Sequence, residues 1–136
     1  MERDSGGAPL RILLVEDDRS VLRMLRFSLH TAGFEIIEAH TGEEALGLLA
    51  ERQPEAVILD LGLPDGRSGA VLEQLGQLER SLDRPPVWVA TSAQDRDVVT
   101  QRYGPLRQRF IPKPFDPWEL ISYLESQLAS RHQSPG

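Results

Sequence analysis

Asp60 closes the run Ala56-Val57-Ile58-Leu59-Asp60, a short apolar stretch that stops on a carboxylate. A second stretch, Arg11-Ile12-Leu13-Leu14-Val15, stops on Glu16, Asp17 and Asp18. A third, Val87-Trp88-Val89-Ala90, stops on the hydroxyls of Thr91 and Ser92, and a fourth, Arg109-Phe110-Ile111, leads to Lys113 between two prolines. If these ends meet, like charges crowd together at a cost unless a cation neutralises them. Carboxylates with a backbone carbonyl and water are what Mg²⁺ favours. The chemistry that fits is phosphoryl transfer to a carboxylate. Asp60 is the candidate nucleophile, with Asp17 and Asp60, helped by Glu16 and the Gly62 carbonyl, as the candidate Mg²⁺ ligands. Lys113 would pair with one phosphoryl oxygen and the Thr91 hydroxyl with another. Each residue alone has a plainer reading, since Asp often opens a turn and polar side chains solvate loops.

Short apolar runs bounded by turn residues read as strands buried on both faces. Between them lie helical patterns. Val21, Leu22, Leu25 and Leu29 recur at helical spacing, with Asp18 or Ser20 as cap and Gly33 as stop. Phe34 to Ala39 reads as a mixed strand near a sheet edge. Thr41 and Glu44 form a capping box that opens a helix to about Gln53. Val71, Leu72, Leu75 and Leu78 mark a third helix, and Asp95 to about Tyr103 a weak fourth. Asp116-Pro117-Trp118-Glu119 combines an N-cap, a proline at the first helical position and an early acid, opening the last helix. Strands alternating with helices imply a doubly wound parallel sheet with right-handed crossovers. Such a sheet brings every strand's carboxyl end to one edge, where ligands bind. The expected domain covers residues 10–130, with residues 1–9 and 131–136 as flexible tails.

Composition narrows the function. The 136 residues fit one domain of ordinary size, with 26% charged and 40% hydrophobic residues. No apolar run is long enough to span a bilayer, no signal peptide is present, and cysteine is absent, so a cytoplasmic chain is the default expectation. A net charge of −6 speaks against direct nucleic acid binding, which relies on Lys and Arg. Of 15 basic residues only Lys113 is lysine, which suits a compact ammonium, although chance is the alternative. His30, His40 and His132 lack metal-ligand spacing. Trp88 reads as core, and Trp118 as packing on neighbouring loops.

The motifs Ile12-Leu13-Leu14-Val15-Glu16-Asp17-Asp18, Leu59-Asp60-Leu61-Gly62-Leu63-Pro64, Val89-Ala90-Thr91-Ser92 and Ile111-Pro112-Lys113-Pro114-Phe115 together resemble the receiver domain of two-component response regulators. The resemblance covers about residues 10–130. It implies a five-stranded flavodoxin-like fold of strand order 2-1-3-4-5 with five helices. It also implies phosphorylation by a sensor histidine kinase or phosphotransfer protein, and a protein target downstream. On it, Asp60 is the phosphorylated residue, Glu16 and Asp17 the acidic pair, Lys113 the phosphate-binding lysine, Thr91 the switch hydroxyl and Phe110 the switch aromatic. The Lys113–Pro114 bond would be cis. Pairing of two copies through the fourth helix, fifth strand and fifth helix is a habit of that family. Such a module catalyses its own modification but turns over no separate substrate.

The chain departs from the family pattern in places. Ser68 stands where glycine is usual, and Arg102-Tyr103-Gly104-Pro105 replaces a small-residue segment, so the fourth helix is expected to be short or displaced. Ser92 competes with Thr91 as switch hydroxyl. Gly62 and Ala93 are both small, which is expected to leave an acyl phosphate open to water or a phosphatase. Two rival readings remain. One is a docking module of receiver shape that never uses phosphate. The other is a Mg²⁺-dependent phosphohydrolase, disfavoured because Gly62 holds the position of its second acid.

Overall fold

The computed structural model describes residues 8–133, with side chains up to Arg131. Strands β1 (Arg11–Val15), β2 (Glu35–Ala39), β3 (Ala56–Asp60), β4 (Val87–Ser92) and β5 (Phe110–Pro112) form one sheet. Its order is β2-β1-β3-β4-β5, and every adjacent pair is parallel. Helices α1 (Arg19–Thr31), α2 (Gly42–Arg52), α3 (Ser68–Ser81), α4 (Arg96–Tyr103) and α5 (Pro117–Gln133) make the crossovers. This is the expected architecture and strand order. No described helix is long and apolar enough to cross a membrane.

Alternation along the strands divides the core in two. Ile12, Leu14, Ala56, Ile58 and Val89 face Leu25 and Leu29 of α1 and Leu120 and Leu124 of α5. Leu13, Val15, Val57, Leu59 and Ala90 face Ala45 and Leu49 of α2 and Val71 and Leu75 of α3. Both faces are therefore covered, and β3 is buried along its whole length, as a continuous apolar run requires. Trp88 is core as expected. Its Nε1 donates to Glu79 (3.1 Å), and Arg109 lies over its ring at 4.5 Å while pairing with the same carboxylate at 2.6 Å. Trp118 does not pack away: it is 45% exposed. His30 and His40 are exposed, and the His132 side chain lies outside the described residues.

Helix starts follow the capping residues. Asp18, rather than Ser20, caps α1 by accepting from the N–H groups of Ser20 and Val21 (2.8 and 3.2 Å). Thr41 accepts from Glu44 N–H, and the Glu44 carboxylate reaches back to His40 N–H at 2.7 Å. Asp95 accepts from Val98 N–H and Asp116 from Trp118 N–H. At its other end α5 continues to Gln133, past the point where a tail was expected. Arg131 on its last turns donates to the Glu55 carbonyl at 3.2 Å, which ties that turn to the start of β3.

The loop after β3 is clasped to α2. Asp65 accepts from the N–H groups of Gly42 and Glu43 at 3.1 Å each, donors that helix geometry would otherwise leave unpaired. Gly42 permits the approach, because a Cβ there would lie 2.6 Å from Arg67 Cβ and 2.9 Å from Arg67 backbone atoms. Gly42→Ala is expected to lower stability by about 1–3 kcal/mol, since backbone atoms cannot rotate away; urea unfolding measures it. Desolvation, the largest single effect, works to raise the Asp65 carboxyl, but the N–H groups of Gly42, Glu43 and Arg67 together outweigh it and hold it below its ordinary value. A depressed carboxyl stabilises the fold fully above its unfolded value, about 3.9, and that contribution fades as pH falls through the folded one. Asp65→Asn should therefore flatten the acid limb of the stability–pH curve, leaving the neutral side free of any new slope.

Candidate functional site

Side-chain alternation and strand register build the site together. Asp60 is two residues past Ile58, Thr91 two past Val89, Glu16 two past Leu14 and Lys113 two past Ile111. All four therefore carry the phase of the face covered by α1 and α5. Asp60 and Thr91 are direct register partners across β3 and β4. Lys113 follows β5, whose last residue pairs with Ser92, and its N–H donates to the Ser92 carbonyl at 2.9 Å. Residues spread over nearly a hundred positions thus arrive at one sheet edge.

The distances are short. Lys113 Nζ lies 3.0 Å from Glu16 Oε1 and 3.6 Å from Asp60 Oδ1. Glu16 and Asp60 are buried, and Asp17 is exposed. Glu16, Asp17 and Asp60 each offer a carboxylate oxygen, and these oxygens lie within 4.8 Å of one another. Gly62 N–H donates to Asp60 Oδ1 at 3.0 Å, which orients the carboxylate. Ser68, buried at the start of α3, donates from its hydroxyl to the Asp60 backbone carbonyl at 2.8 Å. The serine that stands in place of glycine therefore fastens the strand end that carries the candidate nucleophile.

The charges do not balance. Burial first, then the Asp60 charge, raise the Glu16 carboxyl, and the Asp18 N–H and the Lys113 ammonium only partly oppose them. Burial alone would lower the Lys113 ammonium, but the Glu16 hydrogen bond and the charges of Asp60, Glu16 and Asp18 raise it. An isolated ion pair would move the two groups in opposite directions. The Glu16 rise is owed first to burial, and the surplus of negative charge follows from the count of groups: the carboxylates of Glu16, Asp17 and Asp60 cluster around one ammonium, Lys113. Clustered, hard oxygen donors with a charge deficit fit Mg²⁺.

The two hydroxyl candidates differ. Thr91 is buried beside Asp60, and its carbonyl accepts from Leu61 N–H at 2.8 Å. Ser92 is on the cleft wall, and its Oγ accepts from Gln94 N–H at 3.0 Å, a local turn contact. Phe110 is buried, in register with Ala90, and lies under the Arg96 guanidinium at 5.0 Å. The Lys113–Pro114 bond is cis, as expected.

A cleft of about 320 Å³ opens above Asp60, and Arg102 and Tyr103 join the acids and Lys113 in its wall. In sequence, Arg102 and Tyr103 stand out only as the end of a weak fourth helix and a departure from the family pattern. The signal that could have placed them is the stop that follows. Gly104 takes φ +84° and closes α4 after eight residues, which leaves the helix short, as expected, with its last turn beside the site.

A family model described as the response regulator receiver domain matches residues 12–125. Among curated proteins, the response regulator MprA of Mycobacterium sp. (strain KMS) is 39% identical over an alignment of 132 residues, covering 93% of this chain and 53% of the relative. The chain spans about half the length of the curated relatives it matches. Among solved structures, the signal receiver domain of an HD domain-containing protein from Pseudomonas fluorescens Pf-5 superposes with a TM-score of 0.74 at 25% identity, covering 93% of this chain and 99% of that one. A CheY-like response regulator receiver domain from Methylobacillus flagellatus gives 0.66 at 27% identity, covering 87% and 98%.

Proposed function

This chain belongs to the response regulator receiver domain family, and from that premise we propose that it accepts a phosphoryl group on Asp60. The receiver unit spans about residues 10–130. An Asp60 carboxylate oxygen forms the new P–O bond while the donor's bond to phosphorus breaks and the leaving group departs with the electron pair. The observation that carries this reading is Lys113 Nζ at 3.0 Å from Glu16 and 3.6 Å from Asp60, within a triad of clustered carboxylates.

Mg²⁺ would be held by Asp17 and Asp60, with Glu16 and the Gly62 carbonyl in support, and when bound it supplies charge neutralisation for the transferring phosphoryl oxygens. Gly62 N–H and Ser68 hold Asp60 in place, which lowers the cost of reaching an in-line arrangement. Lys113 then shifts from sharing two carboxylates to pairing with a phosphoryl oxygen. The Thr91 hydroxyl, on the same sheet face as Asp60, donates to another, and its shift is passed along β4 to Phe110 on β5. Upstream, the partner is a sensor histidine kinase or phosphotransfer protein, and downstream a protein target.

Amide spectra of the ¹⁵N-labelled chain test the reading. Mg²⁺ alone should shift Asp17, Asp60 and Gly62, and beryllofluoride added afterwards should extend the shifts to Thr91 and β5. Spectra unchanged by both would favour a docking module that never uses phosphate.

A further inference from the structure

Gly62 and Ala93, both small, share the wall of the cleft with the last turn of α4. A Cβ built on Gly62 would have only Asp60 Oδ1, at 3.7 Å, as a neighbour, so no side chain covers the carboxylate there. The last turn of α4 lies in the same cleft wall and is fastened to the loop that follows Asp60. Tyr103 donates a long hydrogen bond, 3.4 Å, to the carbonyl of Leu61, the residue after Asp60. Its ring edge lies where a Cβ on Gly69 would make contact at 3.7 Å, so the first turn of α3 has room for it. Arg102, next to it, lines the same cleft as Asp60 and Lys113.

Among the described residues Arg102 pairs with no carboxylate, and its guanidinium rests over the Tyr103 ring at 5.5 Å. A guanidinium on an aromatic face keeps its five donors available. The cleft wall already has more carboxylates than Lys113 can neutralise, and a phosphoryl group on Asp60 adds further negative charge. A planar fork matches phosphoryl oxygens two at a time, which a lysine cannot do.

We propose that Arg102 is a second cationic phosphoryl-binding residue of this cleft, and that Tyr103 is the positioning residue that anchors the end of α4 at Leu61 to present it. This inference rests on Asp60 being the phosphoacceptor. It also makes α4 responsive to phosphate directly, because one end of that helix then holds the bound group.

Calorimetric titration of Mg²⁺, then of beryllofluoride at saturating Mg²⁺, separates the possibilities on the full chain, on Arg102→Gln, on Arg102→Lys and on Tyr103→Phe. Arg102→Gln should weaken beryllofluoride binding about tenfold, the size of one charge-assisted contact, with Arg102→Lys between it and the parent. The same substitution should leave Mg²⁺ binding equal or tighter, because a positive charge has left an acidic cleft. A merely structural role would weaken both ligands together. Tyr103→Phe should share the beryllofluoride loss in part. Beryllofluoride binding by Arg102→Gln equal to the parent's would overturn the inference and leave Asp60's role standing. Parent chain that binds no beryllofluoride would overturn both. Arg102 is exposed, and matching thermal midpoints for the free proteins verify that each variant is folded.

Discussion

Asp60→Asn should end phosphoryl acceptance and leave the fold in place. The amide has nearly the shape of the carboxylate, and its carbonyl oxygen can still accept from Gly62 N–H, now at 3.0 Å. Ser68 is untouched, because it bonds to the backbone carbonyl of residue 60. Two electrostatic changes oppose each other: Lys113 loses its 3.6 Å partner, and Glu16 loses a like-charged neighbour that raised it. The thermal midpoint should thus move by less than about 4 °C, equivalent to roughly 1 kcal/mol. Reactivity has no such compensation. A neutral amide is a poor nucleophile, and one of the proposed charged metal ligands is gone. Incubation with acetyl phosphate and Mg²⁺, followed by intact-mass measurement, should find the parent modified and the variant bare. A variant that is still modified would place the phosphoacceptor elsewhere.

Lys113→Met should produce the largest loss of stability among single changes at the site, and a metal should reverse it. The substitution keeps the length of the stem and removes the ammonium. Glu16, 2% exposed, then faces Asp60 with no cation between them. Breaking a buried pair leaves an uncompensated charge. Because the Lys113 side chain is 18% exposed, the expected cost is below the fully buried range, about 2 kcal/mol without metal. Anything that binds only the folded state stabilises it, and a more negative cleft binds a divalent cation more tightly. Millimolar Mg²⁺ should therefore raise the midpoint of the variant more than that of the parent and narrow the gap between them. Denaturation curves in EDTA and in Mg²⁺ measure this. A gap indifferent to Mg²⁺ would mean that Lys113 acts through packing and not through charge. Even when restored by metal, the variant should respond weakly to beryllofluoride, since the fluorides that stand in for phosphoryl oxygens lose the ammonium proposed to pair with them.

Much of this was legible in the chain because local chemistry set it. Apolar runs that stop on Asp60, Glu16 and Thr91, helices that begin at Asp18, Thr41, Asp95 and Asp116, and the parallel alternation place the site residues at one edge. The less legible parts depend on contacts between distant segments. Asp65 and Gly42 are 23 residues apart, and nothing near either announces the clasp. Ser68 looked like a departure from pattern until its hydroxyl met the Asp60 carbonyl. β5 begins at Phe110, one residue later than the apolar run suggests, because Arg107 takes φ +57° and residues Arg107–Arg109 form a 3₁₀ turn. The direction of α4 was hidden for the same reason. A weak helix shows where it ends in sequence, but only its packing on Gly69 and Leu61 shows what its last turn covers.

The most direct test of the central claim is chemical trapping on the parent chain. After acetyl phosphate and Mg²⁺ treatment, borohydride reduces an aspartyl phosphate to homoserine, which peptide mass mapping locates. The account predicts conversion at position 60 alone, dependent on Mg²⁺ and suppressed by EDTA. Conversion at Asp17, Asp18 or another acid, or none with metal present, would contradict it.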